Sequence, residues 1–128
     1  MKSESFVYLK TDFEQEMHNT AVPFAEYPRP MLKRDSYLCL NGQWDFKIEN
    51  NKENVFSGSI SVPFVPECRI SGVMRDIKKD DLMIYERVFV IETGFIKGRL
   101  LLHFGACDQY ARVYINGNFV GENVGGYL

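Results

Sequence analysis

The stretch "YARVYINGNFVG", residues 110–121, constrains the fold more than any other part of the chain. Ala111, Val113 and Ile115 fall on one side and Tyr110, Arg112, Tyr114 and Asn116 on the other, because successive side chains of a strand alternate between its two faces. Asn116-Gly117 then interrupts the alternation with a dipeptide suited to the positive backbone dihedrals of a two-residue hairpin turn. A chain with this ribbon is built from antiparallel strands, and other segments repeat the pattern. "NGQWDFKIEN" sets Trp44, Phe46 and Ile48 against Gln43, Asp45 and Lys47 after another Asn-Gly, which predicts a half-buried strand. "NNKEN" reads as a polar turn, and "VFSGSISVPF" as a strand stopped by Pro63, with Gly58 marking a bulge or bend. "VPFVPECRISGV" reads as a loop and "MRDIKKDDL" as a polar connection. "YERVFVIET" resumes the alternation, and "GRLLLHFGA" is apolar enough for an inner strand covered on both faces.

These segments predict five or six short strands, and the gaps between them hold no amphipathic helix long enough for a parallel crossover. The expected class is therefore all-β, a sandwich of antiparallel strands. Residues 1–35 differ in style. "FEQEMHNTAV" permits a helical turn or two, but Pro23, Pro28 and Pro30 in "PFAEYPRP" stop it. This part reads as an arm lying across a surface, held by Phe6, Tyr8, Phe13, Phe24 and Tyr27. The expected organisation is an N-terminal arm, 1–35, and a β-sandwich domain, 36–128, that lacks its last strands. "GENVGGYL" at the end supplies no closing strand, which leaves an edge near Val113–Gly121 open to a second copy as a homo-oligomer.

Composition narrows the partners. With 45% apolar residues the chain has enough material for one core. Its 17 acidic and 15 basic residues give a net charge of -2, too small to steer it toward nucleic acid. Lys78-Lys79 run directly into Asp80-Asp81, which breaks any phosphate-tracking stripe. Val88–Ile91 and Leu100–Leu102, like every other apolar run in the chain, hold at most four residues, far short of the roughly 20 residues that span a bilayer. "MKSESFVYLK" lacks a signal-peptide core, so a cytoplasmic protein with no membrane and no nucleic-acid partner is expected. Cys39, Cys68 and Cys107 stand 29 and 39 residues apart, a spacing for ordinary thiols rather than disulfides or metal ligands.

Chemistry-bearing residues are scattered. His18 lies in the arm, and His103, in an apolar segment, reads as a sheet residue rather than a metal ligand. Hydrolysis of a glycosidic bond uses two carboxyl groups held about 5–10 Å apart. Glu67, Asp76, Asp80, Asp81, Glu86 and Asp108 are present without the pattern of a matched pair. No catalytic residue, no metal and no cofactor is therefore expected in this chain. The loop "PFVPECR", residues 63–69, offers Phe64, Glu67 and Arg69 as substrate-binding residues, since sugars stack on aromatic faces and bond to planar polar groups. The same residues suit a rigid corner capping a sandwich. Asp108, Tyr110, Arg112 and Tyr114 form a row of the kind found at docking surfaces.

Taken in order, "NGQWDFKI", "VPFVPE", "SGV", "YERVFVI" and "FGACDQYARVYINGNFVGENVGGYL" resemble the N-terminal sugar-binding domain of glycoside hydrolase family 2, over about residues 28–128. That family includes β-galactosidases, β-glucuronidases and β-mannosidases. The resemblance implies a galactose-binding-like jelly-roll sandwich followed by an immunoglobulin-like sandwich and a TIM barrel. The barrel would carry both glutamates of retaining hydrolysis, so this chain alone would be inactive, an accessory part of a longer exo-acting β-glycosidase. Carbohydrate and the two following domains are then the implied partners. Two positions that help form the galactose subsite in the β-galactosidases correspond to Val65 and Gly125 here, where the family has Asn and Asp. The ending "GGYL" is more similar to the glucuronidases and mannosidases, in which a final strand follows. Two other readings share the strands: a stand-alone carbohydrate-binding module and a purely structural or interaction domain.

Overall fold

In the computed structural model, which describes residues 14–126, the organising element is β1 (Gly42–Asn50). It is the middle strand of a three-stranded antiparallel sheet, between β2 (Glu53–Val62) and β3 (Asp81–Glu86). A second antiparallel sheet is the hairpin of β4 (Tyr110–Ile115) and β5 (Asn118–Val124). The chain divides between Glu92 and Thr93 into two compact units, each with one of these sheets. Among the described residues, helical structure is confined to α1 (Glu14–His18) and short 3-10 turns at Pro30–Leu32 and Arg69–Ser71. The architecture is all-β, two antiparallel sheets. Phe6, Tyr8 and Phe13 of the expected arm, and the final Tyr127-Leu128, lie outside the described residues.

Alternation in β1 does what its spacing dictates. Phe46 and Ile48 are fully buried with Ile60 of β2, while Gln43, Asp45 and Lys47 are exposed. Asn51 (φ 51°) and Lys52 (φ 69°) make the two-residue turn into β2, where positive φ at both positions matches the twist of the strands. The bulge in β2 is at Val55, not Gly58, because Ile48 pairs with Phe56 and Glu49 with Asn54. Gly58 pairs squarely with Phe46, and its bare backbone admits the ring of Phe56, whose Cζ would stand 3.0 Å from a Cβ there. The connection after β2 folds back over this face: Val73 is buried against Phe46, Ile48 and Ile60, with Ile77 packed beside it.

β3 departs from the expected strand at 85–93. It starts at Asp81 and ends at Glu86, pairing from Asn50↔Asp81 to Asp45↔Glu86. The Asp81 carboxylate fixes that register by accepting the Asn50 side-chain amide at 2.7 Å and the Lys78 N–H at 2.8 Å. Beyond Glu86, Arg87 donates through Nη1 to the carbonyls of Leu40 and Asn41, both at 2.7 Å. Residues 88–91 form no strand, and Val88 and Val90 are more than 80% exposed. The inner strand expected over 98–106 is likewise not formed: Leu100, Leu101, Leu102 and Phe104 stay 43–52% exposed, and His103 is exposed rather than set in a sheet. A continuously apolar strand needs partners on both faces, and the only sheet of its own unit among the described residues is the β4–β5 hairpin.

In the hairpin, Asn116 (φ 50°) and Gly117 (φ 78°) turn the chain, and the Asn118 side-chain amide donates to the Asn116 carbonyl at 3.2 Å. A bulge between Val113 and Tyr114 leaves Val120 unpaired. Ala111 and Val113 are half-buried, but Ile115 remains 47% exposed.

Candidate functional site

The loop carrying Phe64, Glu67 and Arg69 is made rigid by its own backbone. The Phe64 N–H donates to the Ser61 carbonyl at 3.0 Å, closing a turn around Val62-Pro63. Val65 accepts the Cys68 N–H at 3.1 Å and its thiol at 3.0 Å. Gly72 N–H closes the 3-10 turn onto Arg69 at 3.1 Å, and Arg75 N–H reaches Pro66 at the same distance. At the centre Ser71, 2% exposed, takes the Val73 N–H at 3.1 Å and lies 2.7 Å from the Cys68 carbonyl, to which its hydroxyl donates. "SGV" gave no sign of this role, since a serine in a polar loop ordinarily faces water.

The three candidate residues share this loop but face different neighbours. Phe64 is half-buried and meets Phe24 of the arm, ring centroids 6.1 Å apart and tilted by 54°. Arg69 places Nε 3.7 Å from Glu14 Oε1, the arginine side chain half exposed and the glutamate largely covered. Glu67 is half-buried. The arm thus meets two of the three. It is itself anchored by Pro23, which is fully buried and accepts the Asn41 side-chain amide at 2.8 Å. Gly42 lies beside it at φ 109°, where a Cβ would come within 2.6 Å of the Ala21 carbonyl oxygen, so only glycine fits. Val65 has an apolar side chain 59% exposed, and Gly125 has φ 119° and donates its N–H to the Gln109 carbonyl.

Arg87 is a second residue the sequence hid. Besides its two carbonyl bonds, its guanidinium lies 6.0 Å from the Trp44 ring centroid, while Trp44 Nε1 donates to the Leu40 carbonyl at 2.7 Å. Its signal was an arginine at an alternation position next to apolar residues. On the opposite face of the sheet, Asp45 pairs with Ser59 on one side and Glu86 on the other. These three contribute to a shallow concavity of about 320 Å³. Another, about 340 Å³, is bounded by Arg112, Tyr114, Phe119 and Glu122 on the hairpin. Neither includes Phe64, Glu67 or Arg69. Among the described residues no three His, Cys, Asp or Glu side chains are gathered as metal ligands. No helix among them is long and apolar enough to cross a membrane.

Comparison with curated proteins finds a similarity to a glycosidase. A β-glucuronidase of Streptococcus agalactiae serotype V (strain ATCC BAA-611 / 2603 V/R) is 30% identical over 105 residues, covering 79% of this chain and 17% of that protein. The chain is distantly related to a glycosidase. It spans under a fifth of the length of the curated relative it matches. No family model matches the sequence.

Proposed function

We propose that the chain is an accessory sugar-binding domain of the glycoside hydrolase family 2 type, a jelly-roll sandwich belonging to a retaining, exo-acting β-glycosidase of β-galactosidase or β-glucuronidase specificity. Hydrolysis belongs to the longer protein, in which an immunoglobulin-like domain follows and a barrel domain supplies both catalytic glutamates. The observation that carries this reading is the similarity to a β-glucuronidase along 79% of the chain. The rigid loop of Phe64, Glu67 and Arg69 is its recognition element: an aromatic face, a carboxylate and a forked donor on a backbone held by Ser71. Such preorganisation lowers the ordering cost of binding a small polar ligand.

One observation favours a second reading, a purely structural or interaction domain. Phe64 and Arg69 already meet Phe24 and Glu14, the contacts of a corner that clamps an arm. Titrating the 128-residue chain with galactose, glucuronic acid and mannose, while following the amide signals of residues 64–69 by NMR, separates the two. Saturable shifts with a Kd below about 1 mM, a binding free energy of roughly 4 kcal/mol, eliminate the structural reading. Silence with all three sugars eliminates sugar binding at this loop. In parallel, the chain alone is expected to give no turnover of chromogenic β-galactosides or β-glucuronides.

A further inference from the structure

The register of the β4–β5 hairpin sets Tyr110 against Val124, Arg112 against Glu122 and Tyr114 against Phe119. These six side chains share one face. Tyr110, Tyr114 and Phe119 are 55–56% exposed, Val124 is 77% exposed, and the Arg112 and Glu122 side chains are each about half exposed. The polar pair is held in place: Arg112 Nε donates to the Tyr110 hydroxyl at 2.7 Å, and that hydroxyl donates to Glu122 Oε2 at 2.9 Å. Tyr114 and Phe119 meet edge to face at 5.7 Å. Among the described residues, the terminal guanidinium nitrogens of Arg112 and Oε1 of Glu122 take no hydrogen bond.

We propose that this face binds a second copy of the chain, hairpin on hairpin, across a two-fold axis running parallel to the strands midway between β4 and β5. The register itself argues for this partner. Rotation about that axis exchanges β4 and β5 at the same height along the strands. Arg112 then faces the second copy's Glu122, Tyr114 its Phe119, and Tyr110 its Val124. Every crossing is chemically matched: opposite charges, two aromatic rings, a ring and an aliphatic side chain. An isologous contact requires this self-complementarity, and few faces meet it at each level. Arg112 and Glu122 also cancel in charge, so the face does not repel its own copy. Tyrosine, phenylalanine and arginine are the residue types that interfaces favour.

The area fixes the strength. With each aromatic residue offering about half of its surface, the contact buries on the order of 1,000 Å² over both copies, the lower limit for a specific interface. The dimer is therefore weak and dilution-sensitive. It does not depend on sugar binding at the 64–69 loop.

Sedimentation velocity on the full 128-residue chain over a hundredfold concentration range tests the proposal. The weight-average mass is expected to climb from one copy to two. Arg112→Glu and Glu122→Arg, each confirmed as folded by circular dichroism, place like charges at both crossings, and each alone should weaken association at least about tenfold. An equimolar mixture of the two variants restores opposite charges and should dimerise as the native chain does. That rescue acts only between copies, so altered strand pairing within one chain does not mimic it. Tyr114→Ser removes the aromatic crossing without touching the charges and should also weaken association, which keeps the test valid if a charge swap unfolds the hairpin. Four results overturn the proposal: a native chain that stays monomeric throughout, a dimer indifferent to these substitutions, folded variants whose mixture stays monomeric, or a monomer whose hairpin signals respond to a monosaccharide.

Discussion

Ser71 shows how much a single hydroxyl can organise. Its one proton goes to the Cys68 carbonyl, and its lone pairs take the Val73 N–H, in a site sealed from water. Ser71→Ala leaves both backbone groups without that partner, and an unmade bond at a buried group costs about 1–3 kcal/mol. Urea unfolding of the variant should show a lowered midpoint with an unchanged slope, and a midpoint equal to the native one would show that water replaces the hydroxyl. The arm contacts work differently. Arg69 and Glu14 form an ion pair at 3.7 Å with the arginine half exposed, a type of pair that contributes about 0–1 kcal/mol. Packing of Phe24 on Phe64 and the burial of Pro23 hold the arm more firmly than that pair does. At this scale the aromatic and charged candidates were visible by residue type, but their partners come from the arm, some forty to fifty-five positions earlier in the chain. Local spacing carries no information about such contacts.

Among the elements, β3 is tied at its start by one ionised group, the Asp81 carboxylate. Hydrogen bonds from the Asn50 amide and then the Lys78 N–H hold the Asp81 carboxyl below the usual carboxylate range. Because the folded value is the lower one, this carboxylate adds stability above its unfolded pKa of about 4. That contribution is lost as the pH falls through the folded value. Comparing urea midpoints at about pH 7 and about pH 3, the native chain should lose more stability than Asp81→Asn, whose side chain does not titrate. Parallel losses in the two proteins would mean that Asp81 does not set the acid sensitivity of β3. This element also explains where alternation misled. "YERVFVIET" has better strand patterning than "DLMIYE", yet the latter pairs with β1 because the turn at Lys78–Asp81 delivers it there. β1, β2 and the β4–β5 hairpin were legible because each joins an apolar face to a turn next to it in sequence. The partner of β3 is set instead by a connection of some eighteen residues, whose path depends on Ser71 and Val73.

For the whole molecule, the central fact is that an apolar segment with three consecutive leucines is not in a sheet. Leu100–Leu102 and Phe104 have the sequence of an inner strand and are about half exposed. A strand gains its stability from ladder bonds and from cover on its faces, and the described part of unit 93–128 offers a two-stranded hairpin and no further strand. An isolated two-stranded ribbon is marginal in water. The two units should therefore differ sharply in protection, because local opening is easiest where buried contacts are few. Hydrogen exchange on the 128-residue chain tests this directly. Amides of Trp44–Ile48, in the middle strand of the sheet, should exchange slowest, and those of residues 98–106 should exchange at nearly unprotected rates. Dimerisation through the hairpin face should slow exchange in β4 and β5 as concentration rises and leave residues 98–106 unchanged, since they take no part in the proposed contact. Slow, concentration-independent exchange over 98–106 would show that this segment is paired in solution and that the sheet of its unit extends beyond the two strands of the hairpin.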